Sequence, residues 1–206
     1  MSSYMPKPKK SKFVLGVTGN IACGKSTVAG MFKDDDCLLI DADKLAHGLF
    51  CSGSRVYARI KKYFGSKVFK KNNCVDREKL AKIVFADKSA LIKLNRIVHP
   101  ELIRLIKQSI RKTNKRIIIL DAALIVEAGL TKLVDKLVVV TAQRQQQISR
   151  GQKSLGLAKK QVILRMKSQI SQKAKSRFAD FIIDNSGKLS KTQKQVFKIR
   201  RHLWKS

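Results

Sequence analysis

The chain has 206 residues, with 45 Lys and Arg against 14 Asp and Glu, and therefore a formal net charge of +31. Because 44% of the residues are hydrophobic, the chain can bury a core, which excludes a disordered basic tail or a low-complexity protein. The length favours one domain. We expect a basic N-terminal extension over residues 1–12 and a single domain over residues 13–206.

Signals for a membrane or for secretion are absent from the sequence. No apolar stretch approaches the roughly 18 residues of a membrane span, and the first residues lack the apolar core of a secretory signal. We expect a soluble cytoplasmic protein with no membrane partner, either a monomer or a small homo-oligomer. The cysteines form no CxxC pair, which favours reduced thiols over a zinc site or a disulfide framework. They are Cys23, Cys37, Cys51 and Cys74.

The positive charge favours polyanions in general, including nucleotides and phosphorylated cofactors. For nucleic acid it predicts non-specific contact only. Aromatic residues make up 6% of the chain and do not alternate regularly with basic ones, so a surface for stacking bases is not indicated.

Apolar runs typical of buried strands alternate with helical patterns along the chain. Strands are predicted at 13–18, 38–40, 116–120, 136–141 and 181–184. Helices are predicted at 25–32, 55–64, 76–85, 87–98, 101–112, 145–153, 159–169, 171–178 and 189–204. Asp76 and Asp87 are candidate N-caps, and Pro100 predicts a break between two helices. Strands separated by helices require crossover connections, which predicts an α/β fold with a five-stranded parallel sheet flanked by helices.

The segment 19–27 matches the motif GxxxxGK[ST] and lies between a predicted strand and a predicted helix. In such a loop, backbone amides and the helix N-terminus face the phosphates, Lys25 reaches the β- and γ-phosphates, and Ser26 can ligate Mg²⁺. The motif predicts a P-loop NTPase that binds ATP or GTP. It does not distinguish a kinase from a GTPase, although no Asn-Lys-x-Asp segment for reading guanine is present.

Three carboxylates follow predicted strands, where the ligand crevice of an open parallel sheet lies. Asp41 and Asp43 would point the same way if the extended conformation continued through both. One could then accept the proton of an attacking hydroxyl while the other holds the metal or its waters. Alternatively, Asp43 only caps a helix that begins at Lys44. Asp121 has the position of a Walker B acid, and its alternative role is to form a turn.

Together these motifs resemble the dephospho-CoA kinase family. The resemblance comprises the segments 16–29, 40–43, 99–100, 121–127, 147–150, 165–169 and 179–185. It extends over about residues 13–200, in the family's order. It implies a fold like that of the nucleoside monophosphate kinases, with a helical acceptor-side region at about 54–112 and a helical lid at about 143–178.

The resemblance also implies an activity, the transfer of the γ-phosphate of ATP to the 3′-hydroxyl of dephospho-CoA. This is the last step of coenzyme A biosynthesis, with Mg²⁺ as cofactor. It makes Asp43 the general base, Lys25 the phosphate ligand and Arg150 a cation that neutralises the transferred phosphoryl group. The metal ligands would be Ser26 and Asp121. Nucleotide contacts would come from Ala22, Cys23, Gly24, Lys25, Ser26, Thr27, Arg150 and Arg165, and acceptor contacts from Asp41, Asp43, His99 and Glu127.

The chain departs from the family's pattern at a few positions. Ala123 and Val126 stand where the family usually has Pro and Phe, so we expect a reshaped acceptor wall. Lys153 and Ser154 stand where a second lid arginine is usual, and a lysine is a point charge without the bidentate fork of arginine. Cys23 replaces a common Ser, and its place near a helix N-terminus predicts a lowered pKa and sensitivity to oxidation.

Two alternatives stay open at this point. Another P-loop small-molecule kinase would share the P-loop and the Asp-x-Asp pair, but not His99-Pro100 together with the block at 179–185. A basic nucleic-acid-binding protein with a P-loop fold is supported by the charge of +31 alone. His99 has a second interpretation as a structural joint before Pro100. Apart from the candidates Arg150 and Arg165, the basic residues of the lid, which are mostly lysines, are expected to be solvated.

Overall fold

A computed structural model describes residues 12–204, so most of the basic N-terminal extension lies outside the described residues. The described chain forms five strands, β1 Phe13–Gly19, β2 Cys37–Asp41, β3 Ile117–Asp121, β4 Lys136–Thr141 and β5 Phe181–Asp184. All neighbouring strands are parallel, in the order β2-β3-β1-β4-β5. The predicted α/β fold with a five-stranded parallel sheet is confirmed.

Helices connect the strands. They are α1 Lys25–Phe32, α2 Ala42–Gly48, α3 Arg55–Phe64, α4 Arg77–Ala86, α5 Lys88–Lys112, α6 Arg144–Leu155, α7 Lys159–Lys167, α8 Gln172–Ser176 and α9 Leu189–Leu203. The predicted caps are confirmed, because Asp76 accepts hydrogen bonds from the first turn of α4 and Asp87 from that of α5. Within residues 12–204, no helix is both long and apolar enough to cross a membrane.

Both faces of the sheet are covered by apolar side chains. On one face, Phe32 of α1 and Val196 of α9 pack with residues of the central strands. On the other face, Ile106 of α5 packs with Leu120 and Leu130. Strands buried on both faces read as continuous apolar runs, which is why the sequence pattern identified them.

The region α3–α5 has a hydrophobic core of its own. Ile60 of α3, Leu80 of α4 and Ile97 of α5 are buried together. Burial of one such side chain is worth about 1.5–3 kcal/mol, so this cluster stabilises the helices without relying on the sheet. Val84 of this cluster also lines the large cleft described in the next section.

Helix α5 corrects the sequence analysis, which predicted two helices separated at Pro100. The structure has one helix of 25 residues with Pro100 inside it. A proline inside a helix costs about 3 kcal/mol through the lost N–H and the clash with the preceding turn. Ile97 and Val98 before the proline and Ile106 after it are all buried, and their burial outweighs that cost. His99 is therefore a helical residue and not a joint.

All four cysteines, which lie within the described part of the chain, are free thiols. Cys51 and Cys74 face each other across an isolated antiparallel bridge, with their sulfur atoms 3.0 Å apart. This contact ties the loop before α3 to the turn before α4.

Candidate active site

The P-loop leaves β1 and enters α1 through two residues with positive φ. Ala22 has φ 56° and Gly24 has φ 90°. At residue 24, an added Cβ would lie 2.1 Å from Nδ2 of Asn185, so only glycine fits there. No described side chain caps α1, and its first amides are thus available to an anion.

Amide side chains from three distant segments hold this loop in place. Gln147 of α6 donates to the carbonyl of Ile21 at 2.8 Å, and the amide of Ile21 donates to Gln169 at 2.9 Å. Asn185, just after β5, donates to the carbonyl of Cys23 at 2.8 Å. Sequence reasoning noted these amides only as parts of the resemblance and missed their positioning role.

Lys25 lies between two carboxylates. Its Nζ donates to Oδ2 of Asp43 at 2.8 Å and lies 3.1 Å from Oδ1 of Asp121. Burial opposes the charged form of the lysine, but the two acids outweigh it and raise the pKa of Lys25 above its ordinary value. The structure thus brings together three of the residues that the sequence analysis singled out.

Asp121 is buried at the end of β3, in register with Asp41 on β2. Burial raises the pKa of Asp121 above its ordinary value, against the effect of Lys25. Although Lys25 is at ion-pair distance, Oδ1 of Asp121 receives no hydrogen bond from the described residues. Ser26 also lies close enough to lower this pKa through its hydroxyl. A carboxylate oxygen beside a hydroxyl is a donor set that suits a hard cation.

Asp41 and Asp43 differ in their surroundings. The strand ends at Asp41 and α2 begins at Ala42, so the extended conformation does not continue through Asp43 as expected. Asp41 is the N-cap of α2, because it accepts a hydrogen bond from the amide of Lys44 at 2.9 Å. The expectation that Asp43 could be this cap is thus wrong. Asp43 instead lines the cleft, and 56% of its side chain is exposed.

Glu127 forms a buried ion pair on the other side of the cleft. Its Oε1 lies 3.0 Å from Nζ of Lys175, whose side chain is fully buried. Lys175 also donates to the carbonyl of Ala123. The sequence analysis expected such lid lysines to be solvated, and for Lys175 that is wrong. Burial lowers the pKa of His99, with Glu127 acting in the opposite direction.

The two predicted lid arginines have different neighbours. Arg150 of α6 donates to the carbonyl of Asn185 at 3.0 Å, next to the P-loop. Arg165 of α7 lies over the ring of Phe85, 5.5 Å from its centroid. Burial, followed by the charge of Arg77, lowers the pKa of Arg165. Arg150 therefore lies by the phosphate loop, whereas Arg165 faces α4.

Cys23 does not behave as its position in the sequence suggested. The thiol is fully buried in the core beneath the P-loop, packed among residues of α1 and β4. Desolvation raises its pKa to about 11, although Lys25 acts to lower it. The prediction of a lowered pKa is wrong, because burial outweighs the helix N-terminus and the nearby lysine.

The P-loop and several of the side chains described above open onto one cleft of about 970 Å³, which Asp41, His99 and Asp121 do not line. Its walls include the P-loop, Asp43, Glu127, Arg150 and Arg165. Ala123, where the sequence departs from the family pattern, lines the cleft, whereas Val126 packs against the core of the sheet. The volume is large enough for a nucleotide and part of a second substrate.

Fold and site together define a P-loop kinase. A phosphate-binding loop, an adjacent lysine with two carboxylates, and a cleft shared with a helical region suit phosphoryl transfer between two bound substrates. Comparison with known proteins identifies the kind of kinase. The family model for dephospho-CoA kinase matches residues 13–191, and the chain belongs to this family. It is thus an ATP-dependent kinase, as the sequence analysis predicted.

Individual relatives agree with the family model. A dephospho-CoA kinase of Aquifex aeolicus is 40% identical over 190 residues, which cover 92% of this chain and 96% of the relative. The crystal structure of TT1252 from Thermus thermophilus has a TM-score of 0.78 at 27% identity, with coverage of 92% and 96%. The dephospho-CoA kinase structure from Campylobacter jejuni has a TM-score of 0.64 at 29% identity, with the same coverage.

Proposed function

We propose that the chain transfers the γ-phosphoryl group of ATP to the ribose 3′-hydroxyl of dephospho-CoA, giving coenzyme A and ADP. Membership of the family supports ATP and dephospho-CoA as the substrates. One structural observation supports the catalytic roles that we assign to individual residues. This observation is the position of Lys25 between Asp43 and Asp121 at the end of the P-loop. It joins the phosphate-binding element to a carboxylate that is open to the cleft.

Asp43 is assigned as the general base. The 3′-oxygen attacks the γ-phosphorus, its proton passes to the carboxylate of Asp43, and the bond between the γ-phosphorus and the β,γ-bridging oxygen breaks to release ADP. Asp43 suits this role because it lines the cleft and is half-exposed, whereas Asp41 is engaged as the cap of α2. In the structure, the ammonium group of Lys25 is hydrogen-bonded to the carboxylate of Asp43. Bound phosphates would compete for the same ammonium group and release the base.

Arg150 is assigned the role of neutralising negative charge on the transferred phosphoryl group. One of its guanidinium nitrogens donates to the carbonyl of Asn185, and NH1 is buried without a partner among the described residues. A partly desolvated guanidinium next to the P-loop has a donor left for a phosphate oxygen. In related enzymes, an arginine in this role contributes about 10³–10⁵ to the rate.

Mg²⁺ is assigned to Ser26 and Asp121. The carboxylate oxygen of Asp121 that lacks a hydrogen bond and the hydroxyl of Ser26 provide two oxygen ligands, and Mg²⁺ usually takes its others from waters and substrate phosphates. When bound, the ion would neutralise charge on the phosphate oxygens. Among the described residues, no group of three or more His, Cys, Asp or Glu forms a metal cage, which is consistent with so sparse a ligand set.

We assign acceptor binding to the side of the cleft formed by α3–α5. Helices α6–α8 are assigned as the lid. The separate hydrophobic core of α3–α5 supports treating them as one acceptor-side region of the single domain. Glu127 lies in the cleft wall opposite, and His99 is close to it on α5. We propose that these two residues contact the acceptor, and that Asp41 supports them only indirectly by fixing the start of α2.

A turnover assay tests this function. Purified protein is given ATP, Mg²⁺ and one of three acceptors, namely dephospho-CoA, shikimate or adenosine, with detection of coenzyme A by mass spectrometry. Asp43→Asn should lower kcat with dephospho-CoA by about 10²–10⁴-fold while ATP affinity is retained. Asp36→Asn, an exposed acid in the turn before β2, is the matched control and should match the wild type. Turnover of another acceptor in place of dephospho-CoA would contradict the proposal.

A further inference from the structure

Two arginines from different parts of the chain line the same cleft and lie close enough for their charges to interact. Arg77 is the first residue of α4, and Arg165 lies on α7 of the lid. Both line the cleft that also contains Asp43. They are 88 positions apart in the sequence, so their approach is a product of the tertiary fold.

Neither arginine is neutralised by an acid within residues 12–204. The acid next to Arg77, Asp76, accepts hydrogen bonds from the first turn of α4 and lies 3.8 Å from Nζ of Lys79. In the cleft wall, Glu127 is already paired with Lys175, and Asp43 with Lys25. Arg77 and Arg165 are thus two cations that face the same space with no anion of the protein between them.

Two neighbouring side chains are affected by this positive charge. Arg165 packs over the ring of Phe85, which removes water from one face of the guanidinium. His47 of α2 lies near Arg77, and burial together with that arginine lowers its pKa. Two close guanidinium groups repel each other, and the charge is balanced when a ligand brings an anion between them.

The chemistry of the acceptor supplies such an anion. In dephospho-CoA the reacting 3′-hydroxyl and the 5′-diphosphate are attached to the same ribose. An acceptor whose hydroxyl lies at Asp43 therefore has its diphosphate one sugar ring away, within the same part of the cleft. Next to the arginines, Val84, Leu91 and Leu94 line the wall and suit the uncharged part of such a substrate.

We propose that Arg77 and Arg165 form the subsite for the 5′-diphosphate of the acceptor and set the preference for dephospho-CoA over a plain nucleoside. The sequence analysis placed Arg165 with the nucleotide and did not single out Arg77. The proposal rests on the proposed function, since it takes Asp43 as the position of the reacting hydroxyl. Two planar guanidinium groups that line one cleft can each bind diphosphate oxygens bidentately.

Steady-state kinetics with two acceptors tests the subsite. Arg77→Met should raise KM for dephospho-CoA by about 10- to 100-fold, the effect expected for a lost charged hydrogen bond. With adenosine, which has no phosphate, kcat/KM should change by less than about twofold. Arg77→Lys should recover part of the loss. Arg165→Met should resemble Arg77→Met, and the double variant should lose less than the product of the two single effects, because both bind one diphosphate.

A control and a nucleotide measurement complete the test. Lys82→Met removes a charge from the exposed face of the same helix and should leave KM for dephospho-CoA unchanged. If Arg77→Met raises KM for ATP instead, the arginine binds the nucleotide and the proposal is wrong. Equal losses with dephospho-CoA and adenosine would also overturn it, since they would indicate a structural role.

The subsite and the proposed function can fail separately. If the wild-type protein turns over dephospho-CoA and Arg77→Met has the same KM, only the subsite is wrong. If the wild-type protein does not turn over dephospho-CoA, the proposed function fails. In that case, calorimetric titration of wild type and Arg77→Met with dephospho-CoA and with adenosine still decides the subsite, which requires weaker binding of dephospho-CoA alone.

Discussion

Lys175 and Glu127 form an ion pair at the wall of the cleft, with Nζ 3.0 Å from Oε1. The lysine side chain is fully buried and the glutamate side chain is 15% exposed. This pair joins α8 of the lid to the loop after β3, and through Ala123 it reaches Thr18 of β1, which donates to the same carbonyl. A change at this pair is therefore expected to affect both stability and the shape of the cleft.

Removal of the lysine should destabilise the fold. Lys175→Met leaves Glu127 charged and largely buried without its partner, which costs about 3–5 kcal/mol of unfolding free energy. Urea denaturation followed by circular dichroism measures this difference. Lys173→Met, at an exposed position of the same helix, should change the unfolding free energy by less than about 0.5 kcal/mol.

The double variant Lys175→Met with Glu127→Gln separates charge from packing. Because it removes the unpaired charge, it should be more stable than Lys175→Met alone. If the single variant is as stable as the wild type, Glu127 does not depend on Lys175 and the structural role of the pair is wrong.

Thiol accessibility should divide the cysteines into two groups. Cys23 is fully buried with its pKa raised to about 11, so at pH 8 only about one thiol in a thousand is ionised. Cys51 is exposed. Brief treatment with N-ethylmaleimide at pH 8, followed by peptide mass mapping, should label Cys51 and spare Cys23. Both should react in urea, and rapid labelling of Cys23 in the folded protein would contradict its burial.

The parts of the molecule that depend on local sequence were predictable. The P-loop, the buried strands and the caps Asp76 and Asp87 follow from motifs, apolar runs and residues a few positions apart. The same reasoning placed Asp43 and Asp121 at strand ends, where the parallel sheet brings them to Lys25.

Features that depend on long-range packing were not predictable. Pro100 lies within a helix because buried residues on both sides hold it there. The thiol of Cys23 is desolvated by residues of α1 and β4, which no local pattern reveals. Gln147 holds the P-loop across more than one hundred residues of sequence, as do Gln169 and Asn185. The proximity of Arg77 to Arg165 likewise depends on the tertiary fold and is not visible in the local sequence.

The ionised carboxylate of Asp121 should lower the free energy of unfolding, although we propose that it ligates Mg²⁺. Its pKa is raised in the folded state because burial disfavours the ionised form. The folded state therefore holds its proton more tightly than the unfolded state, and stability falls as pH rises from the ordinary carboxyl pKa through the raised one. Relative to wild type, Asp121→Asn should become progressively more stable as pH rises above the ordinary carboxyl pKa, as measured by urea unfolding at a series of pH values.

The same variant should lose activity, because it removes the proposed carboxylate ligand of Mg²⁺. Turnover should fall, and the Mg²⁺ concentration needed for half-maximal rate should rise. Asp36→Asn provides the control for charge and should show neither the change of relative stability with pH nor the altered Mg²⁺ dependence. An Asp121→Asn enzyme with wild-type Mg²⁺ dependence would exclude this residue from the metal site.

Gly24 should be essential to the P-loop for two physical reasons. Its φ of 90° is strained for any other L-residue, and an added Cβ would lie 2.1 Å from Nδ2 of Asn185. Strain of this kind costs about 1–3 kcal/mol, so Gly24→Ala should weaken binding of a non-hydrolysable ATP analogue by about 10- to 100-fold in calorimetric titration. The double variant Gly24→Ala with Asn185→Ala removes the clash but keeps the backbone strain. It should bind the analogue more tightly than Gly24→Ala if the clash costs more binding free energy than the loss of the hydrogen bond from Asn185 to the loop.

Gly30 offers the matched control, since it lies in the last turn of α1, away from the phosphate-binding end, and an added Cβ there meets nothing within 4 Å. Gly30→Ala should keep wild-type affinity for the ATP analogue and raise the unfolding free energy by about 0.5–1 kcal/mol, because alanine has the higher helix propensity. Wild-type affinity in Gly24→Ala would show that the loop can bind phosphate in another conformation. Weakened binding in both variants would instead locate the effect in α1 as a whole.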